Sequence, residues 1–122
     1  ALLTLKKALD KFATLTNREE REFLRDSAIK RFEYCYDLIW KCFKDELECR
    51  HAVIAASPRL VFREIERLGL VSRRELDFLL DMSEDRNLTV HTYNEAAAEE
   101  VFQALSRYCE LMTELATRMS KE

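Results

Sequence analysis

One glycine and one proline in 122 residues leave almost nothing from which to build hairpins, tight turns or bulges, which excludes sheet-rich architectures. No apolar run approaches the roughly 18–20 residues of a membrane span. No signal-peptide pattern opens the sequence, so the expectation is a cytoplasmic protein with no membrane partner. A strong charge of either sign is missing too: the net charge is −3. That balance argues against a general nucleic-acid coat or a basic membrane-surface helix; a nucleic acid would have to be held by a local basic site. No C-x-x-C pair occurs. Cys35, Cys42 and Cys49 repeat every seven residues, a helical step of about 10.5 Å. That is too far for a disulfide, whose Cα atoms lie within about 7 Å, and too far for two thiolates to share a zinc. With Cys109 alone in the last helix, the cysteines read as reduced thiols at core or interface positions. No metal and no cofactor is expected.

What is present is helical. Hydrophobic residues make up 48% of the chain, enough for one globular domain over residues 1–122. Ala, Leu, Glu, Arg and Lys dominate, all good helix formers. The predicted class is all-α: an up-and-down antiparallel bundle of four to five helices. The first is expected from about Leu2 to Leu15, with a break at Thr16-Asn17. A long second helix runs from about Arg18 to Cys49, burying Ala28, Phe32, Cys35, Tyr36, Ile39, Phe43 and Leu47, with Leu38 and Trp40 widening its apolar surface. His51 to Ala56 reads as a connector, with His51 exposed. Ser57-Pro58 starts a third helix and Gly69 stops it. Ser72 and Glu75 form a capping box for the fourth. Thr92 with Glu95, or Asn94 alone, caps the fifth, whose buried stripe runs from Val101 through Leu105, Tyr108, Met112 and Leu115 to Met119. Glu95, Glu99 and Glu100 read as its solvated face.

The chemistry concentrates in Arg86-Asn87-Leu88-Thr89-Val90-His91-Thr92-Tyr93, where the apolar pattern of the fourth helix breaks into polar residues. Arg86 and His91 lie about 7–8 Å apart along a helix axis and about 140° apart around it. They do not stack on one face, but both can border one groove if a second helix packs alongside. A permanent cation, a titratable imidazole and a phenol are the parts needed to hold a phosphodiester and move protons on it. Asp85 is a candidate to orient the guanidinium. Asn87 and Thr89 are candidates to hydrogen-bond phosphate or ribose.

Arg86-x-x-x-x-His91-x-Tyr93 is similar to the R-x4-H-x-Y signature of HEPN domains of the HepT type. Arg31-Phe32-Glu33-Tyr34 through Trp40-Lys41, Ser57-Pro58-Arg59 with Gly69-Leu70, and Glu84-Asp85-Arg86-Asn87-Leu88-Thr89 resemble the nucleotidyltransferase substrate-binding protein family. The resemblance runs from about Leu2 to Met119. It implies a HEPN helical bundle, a two-fold homodimer and a minimal nucleotidyltransferase partner encoded nearby. In toxin–antitoxin versions it implies a metal-independent RNA endonuclease using Arg86 and His91, silenced by the antitoxin's AMP transfer to Tyr93. The alternative is a non-catalytic subunit that binds RNA or nucleotide through the same residues and presents it to the nucleotidyltransferase. A third reading is a purely structural assembly module.

Overall fold

Good helix formers punctuated at a few defined points produce an all-helical fold. The computed structural model describes residues 1–12, 18–91 and 93–120. These form five helices: α1 (Leu2–Phe12), α2 (Arg18–His51), α3 (Pro58–Arg67), α4 (Arg73–His91) and α5 (Glu95–Ser120). Consecutive helices pack on one another, α1 also meets α5, and α2 touches all four of its companions. The expected extension of the first helix to Leu15 and the break at Thr16-Asn17 lie outside the described residues.

The punctuation is local chemistry. Ser57 Oγ accepts the Leu60 N–H at 3.3 Å, and Pro58 opens α3 where a missing N–H costs nothing. Gly69 at φ +78° ends it: its N–H returns to Glu66 and that of Leu70 to Ile65, a Schellman closure. Ser72 and Glu75 cap α4 reciprocally, at 2.8 and 3.1 Å. Asn94 caps α5, accepting the Ala97 N–H at 2.9 Å, and the alternative cap Thr92 lies outside the described residues. α2 runs two residues further than expected, so His51 is a half-buried helix end rather than an exposed connector residue. The chain leaves α2 through Ala52 at φ +54°, and the Val53 N–H bonds back to the Leu47 carbonyl.

Every residue of the predicted α2 stripe is buried, as are Val101, Leu105, Tyr108, Met112 and Leu115 of α5. Phe32 rings contact Tyr36 and, across to α5, Tyr108. Cys35 and Cys109 sit in this core, while Cys42 and Cys49 are exposed. Among the described residues no helix is long and apolar enough to cross a membrane.

Glu75 also clamps the far end of α5. Arg118 donates to its two oxygens at 2.9 and 2.6 Å. Those bonds hold the Glu75 carboxyl below the usual carboxylate range, with help from the Ser72 N–H and against the effect of burial. A depressed carboxylate pKa contributes stability above the unfolded pKa, and this contribution fades as pH falls through the folded one. In urea unfolding, Glu75→Gln is expected to cost roughly 1 kcal/mol at pH 7, the scale of a partly exposed pair. The gap between the two proteins should close toward pH 3; a gap that stays constant with pH would contradict the assignment.

Candidate functional site

The last turns of α4 bring polar groups against α2. Arg86 is half-buried, its side chain 29% exposed, with Nη2 3.5 Å from Asp37 Oδ1. Its Nε is buried and has no hydrogen-bond partner among the described residues. Asp85, expected to orient this guanidinium, does something else: it accepts the Tyr108 hydroxyl of α5 at 2.5 Å. Adjacent helical residues point about 100° apart, so a sequence neighbour is poorly placed to serve Arg86, and Asp37 across the helix interface takes that place. Thr89, expected at a phosphate, is only 3% exposed. Its hydroxyl lies 3.1 Å from both Glu33 Oε2 and the Arg86 carbonyl, so it ties α4 to α2 instead of facing solvent.

Arg86 and Asn87 line a groove of about 470 Å³ between α2, α4 and the start of α3. Asp37, Trp40 and Lys41 supply the α2 wall, and Ser57, Pro58 and Arg59 the third side. Tyr36 and Ser83 also line it, their hydroxyls 2.7 Å apart. Burial pushes the Tyr36 phenol up, against the Ser83 hydrogen bond and the Arg86 and Arg59 charges, and Asp37 adds to the rise. Three cations against one carboxylate make this a local basic site on a chain of negative net charge.

His91 is the exposed last residue of α4 and is not part of the groove wall. Tyr93 follows in the link to α5, 47% exposed, and its hydroxyl donates to Asp26 of α2. Burial, then the Asp26 contact, pushes the Tyr93 phenol up to about 12, so it is protonated at neutral pH. Behind Asp26 lies a feature that helical periodicity did not reveal: Arg25, 2% exposed. It donates to Asp26 at 3.1 Å, to both Glu95 oxygens at 2.8 and 3.1 Å, and to Glu99 at 2.8 Å. Those carboxylates, Glu95 foremost, hold its pKa far above the ordinary value against the opposing effect of burial. Glu95 and Glu99 are therefore exposed, as predicted, but also engaged in holding α5 to α2. Among the described residues no group of three or more His, Cys, Asp and Glu is arranged to hold a metal ion.

Lys41, Arg59 and Asp37 escaped assignment from sequence because the groove exists only once three helices meet. The signal available was indirect: Trp40-Lys41 and Ser57-Pro58-Arg59 are among the segments that carry the family resemblance.

The sequence matches the family described as nucleotidyltransferase substrate binding protein like over residues 1–121. No protein of curated function matches it. Among solved structures, a protein from Thermus thermophilus is 35% identical, with a TM-score of 0.81, over 97% of this chain and 98% of its own. The tri-AMPylated Shewanella oneidensis HEPN toxin, solved in complex with its MNT antitoxin, is 19% identical with a TM-score of 0.79, over 99% and 94%. A mutant of the toxin–antitoxin MntA-HpeT gives 19% and 0.76, over 99% and 95%. The match along almost the entire chain, on a five-helix bundle with the same fold as HEPN toxins, makes this protein a member of the nucleotidyltransferase substrate binding protein like family with a HEPN fold.

Proposed function

We propose that the protein is the toxin-type subunit of a nucleotidyltransferase pair. In this reading it is a metal-independent RNA endonuclease using Arg86 and His91, and AMP transfer to Tyr93 silences it. The observation that carries the reading is the Arg86 guanidinium in a basic groove, its buried Nε without a partner among the described residues. A buried guanidinium donor without an acceptor is costly, and a phosphate oxygen satisfies it. The fold shared with HEPN toxins that were solved with nucleotidyltransferase-type antitoxins supports the choice of partner.

RNA brings its own nucleophile. His91, about 7.5 Å further along α4, takes the proton of the ribose 2′-OH. The 2′-oxygen attacks phosphorus, the bond to the 5′-oxygen breaks, and that oxygen leaves with a proton taken from solvent water. Arg86 stabilises the charge on the non-bridging oxygens. No metal enters this scheme, because the imidazole handles the proton and the guanidinium the charge. In the silencing step the Tyr93 phenol gives up its proton through Asp26 to solvent, its oxygen attacks the α-phosphorus of ATP, and pyrophosphate leaves. The new phosphodiester puts a bulky anion beside the same helix end. A two-fold homodimer in the cytoplasm completes the proposal.

RNA incubated in EDTA is expected to be cut by the protein and left intact by His91→Ala. After co-expression with the neighbouring nucleotidyltransferase, intact mass should rise in AMP-sized steps on the parent and not on Tyr93→Phe. Additions that persist on Tyr93→Phe would move the modified site elsewhere.

One observation favours the second reading, a non-catalytic nucleotide-binding subunit: His91 stands outside the groove that holds Arg86. Absence of cleavage under all conditions, with nucleotide binding lost in Arg86→Ala, is the outcome that would select it.

A further inference from the structure

The groove is larger than a single phosphate requires, and its walls are of two kinds. Its volume of about 470 Å³ lies within the range of small-molecule sites. Lys41 and Arg59 extend the charge beyond Arg86, from separate helices, while Trp40 contributes an indole to the same space. Lys41 and Arg59 are exposed, and Trp40 is half-buried against the core, so the indole is held in position. The one opposing carboxylate, Asp37, already shares a long 3.5 Å contact with Arg86, which leaves that guanidinium free to accept a better anion. α3 begins at this wall, so the positive end of its dipole reinforces the cations.

We propose that this groove is a subsite for one nucleotide unit with an unstacked base: the phosphate lies among Lys41, Arg59 and Arg86, and the base stacks on Trp40. The inference rests on the reading that the chain binds nucleotide phosphates, and not on its cutting them. A base engaged with an indole cannot remain in a duplex stack, so the subsite selects single-stranded nucleic acid or free nucleotide. Asn87, exposed at the rim, offers an amide to the base edge or the ribose. The imidazole stands outside this wall, so binding in the subsite does not depend on His91.

Trp40 is the only tryptophan in the chain, so intrinsic fluorescence reports on this groove. The intact chain is titrated with AMP, a short single-stranded oligoribonucleotide, the corresponding duplex and inorganic phosphate. Nucleotide and single strand are expected to quench Trp40. Duplex should do so at least tenfold more weakly, and phosphate should compete for the site without quenching. By calorimetry, Trp40→Leu is expected to weaken AMP binding on the order of tenfold, the scale of one lost base stack. Lys41→Ala and Arg59→Ala should each weaken AMP and phosphate alike, and circular dichroism checks that all three variants fold. Nucleotide binding that leaves Trp40 fluorescence unchanged and survives Lys41→Ala and Arg59→Ala would overturn the subsite, as would no binding at all. The two proposals fail separately. RNA cleavage that is insensitive to Trp40, Lys41 and Arg59 leaves the nuclease and removes the subsite. Nucleotide binding with these sensitivities but no cleavage leaves the subsite and removes the nuclease.

Discussion

Arg86→Lys, which keeps the positive charge, is expected to slow RNA cleavage by about 10²–10³-fold, the range seen when one preorganised donor to a developing oxyanion is removed. Lysine carries a point charge and three donors on a flexible stem; it cannot reproduce a planar fork. In this groove the fork has a defined role: Nη2 is turned toward Asp37 while Nε lies buried and, among the described residues, without a partner. The loss should fall mainly on kcat in single-turnover assays, because a transition-state contact is removed while Lys41 and Arg59 still hold the ground state. Stability should hardly change. The Arg86–Asp37 pair is long and partly exposed, of the kind worth about 0–1 kcal/mol. If Arg86→Lys retains activity within threefold of the parent, two-pronged phosphate recognition by Arg86 is excluded.

The largest stability effect is expected at Phe32→Ala, about 3–5 kcal/mol by urea unfolding, as for other fully buried aromatic truncations. Phe32 is wholly buried on α2. Its ring centroid lies 6.3 Å from that of Tyr36 and 5.5 Å from that of Tyr108, so one side chain joins the groove floor to α5. In a domain of this size that corresponds to a drop in Tm of roughly 10–20 °C. The consequence should reach the site, because Tyr36 rests on Phe32 and lines the groove. Thermal circular dichroism with nucleotide titration at low temperature tests both effects. A loss under about 1 kcal/mol, well below that truncation range, would mean that the α2–α5 contact is not packed as described.

The helices were legible because their signals are local. Ser57-Pro58, Gly69 and the Ser72/Glu75 pair each act within four residues, and each sits at the predicted boundary. The α2 stripe was legible for the same reason: a 3.6-residue period determines which side chains share a face. α2 ends two residues beyond the expected boundary, where Ala52 takes the left-handed turn without the usual glycine to mark it. The candidate site was only partly legible. The motif pointed to Arg86, but its ion-pair partner comes from 49 residues away, not from the adjacent Asp85. Arg25 reads in sequence as one more charge on a helix rich in them. Besides the adjacent Asp26, the acceptors that make its burial tolerable lie 70 and 74 residues away, and no periodicity encodes those.

The Tyr93–Asp26 hydrogen bond fastens the α4–α5 link to α2 by a single proton. An ester at that oxygen has no proton to give, and it sets a phosphate anion against the aspartate. The esterified ring would have to unlatch and swing outward, carrying its adduct away from α2. Decorating one phenol would thereby loosen the joint between two helices as well as screen the surface around it, so modified and unmodified protein should differ in amide exchange along residues 93–97 even when no RNA is present.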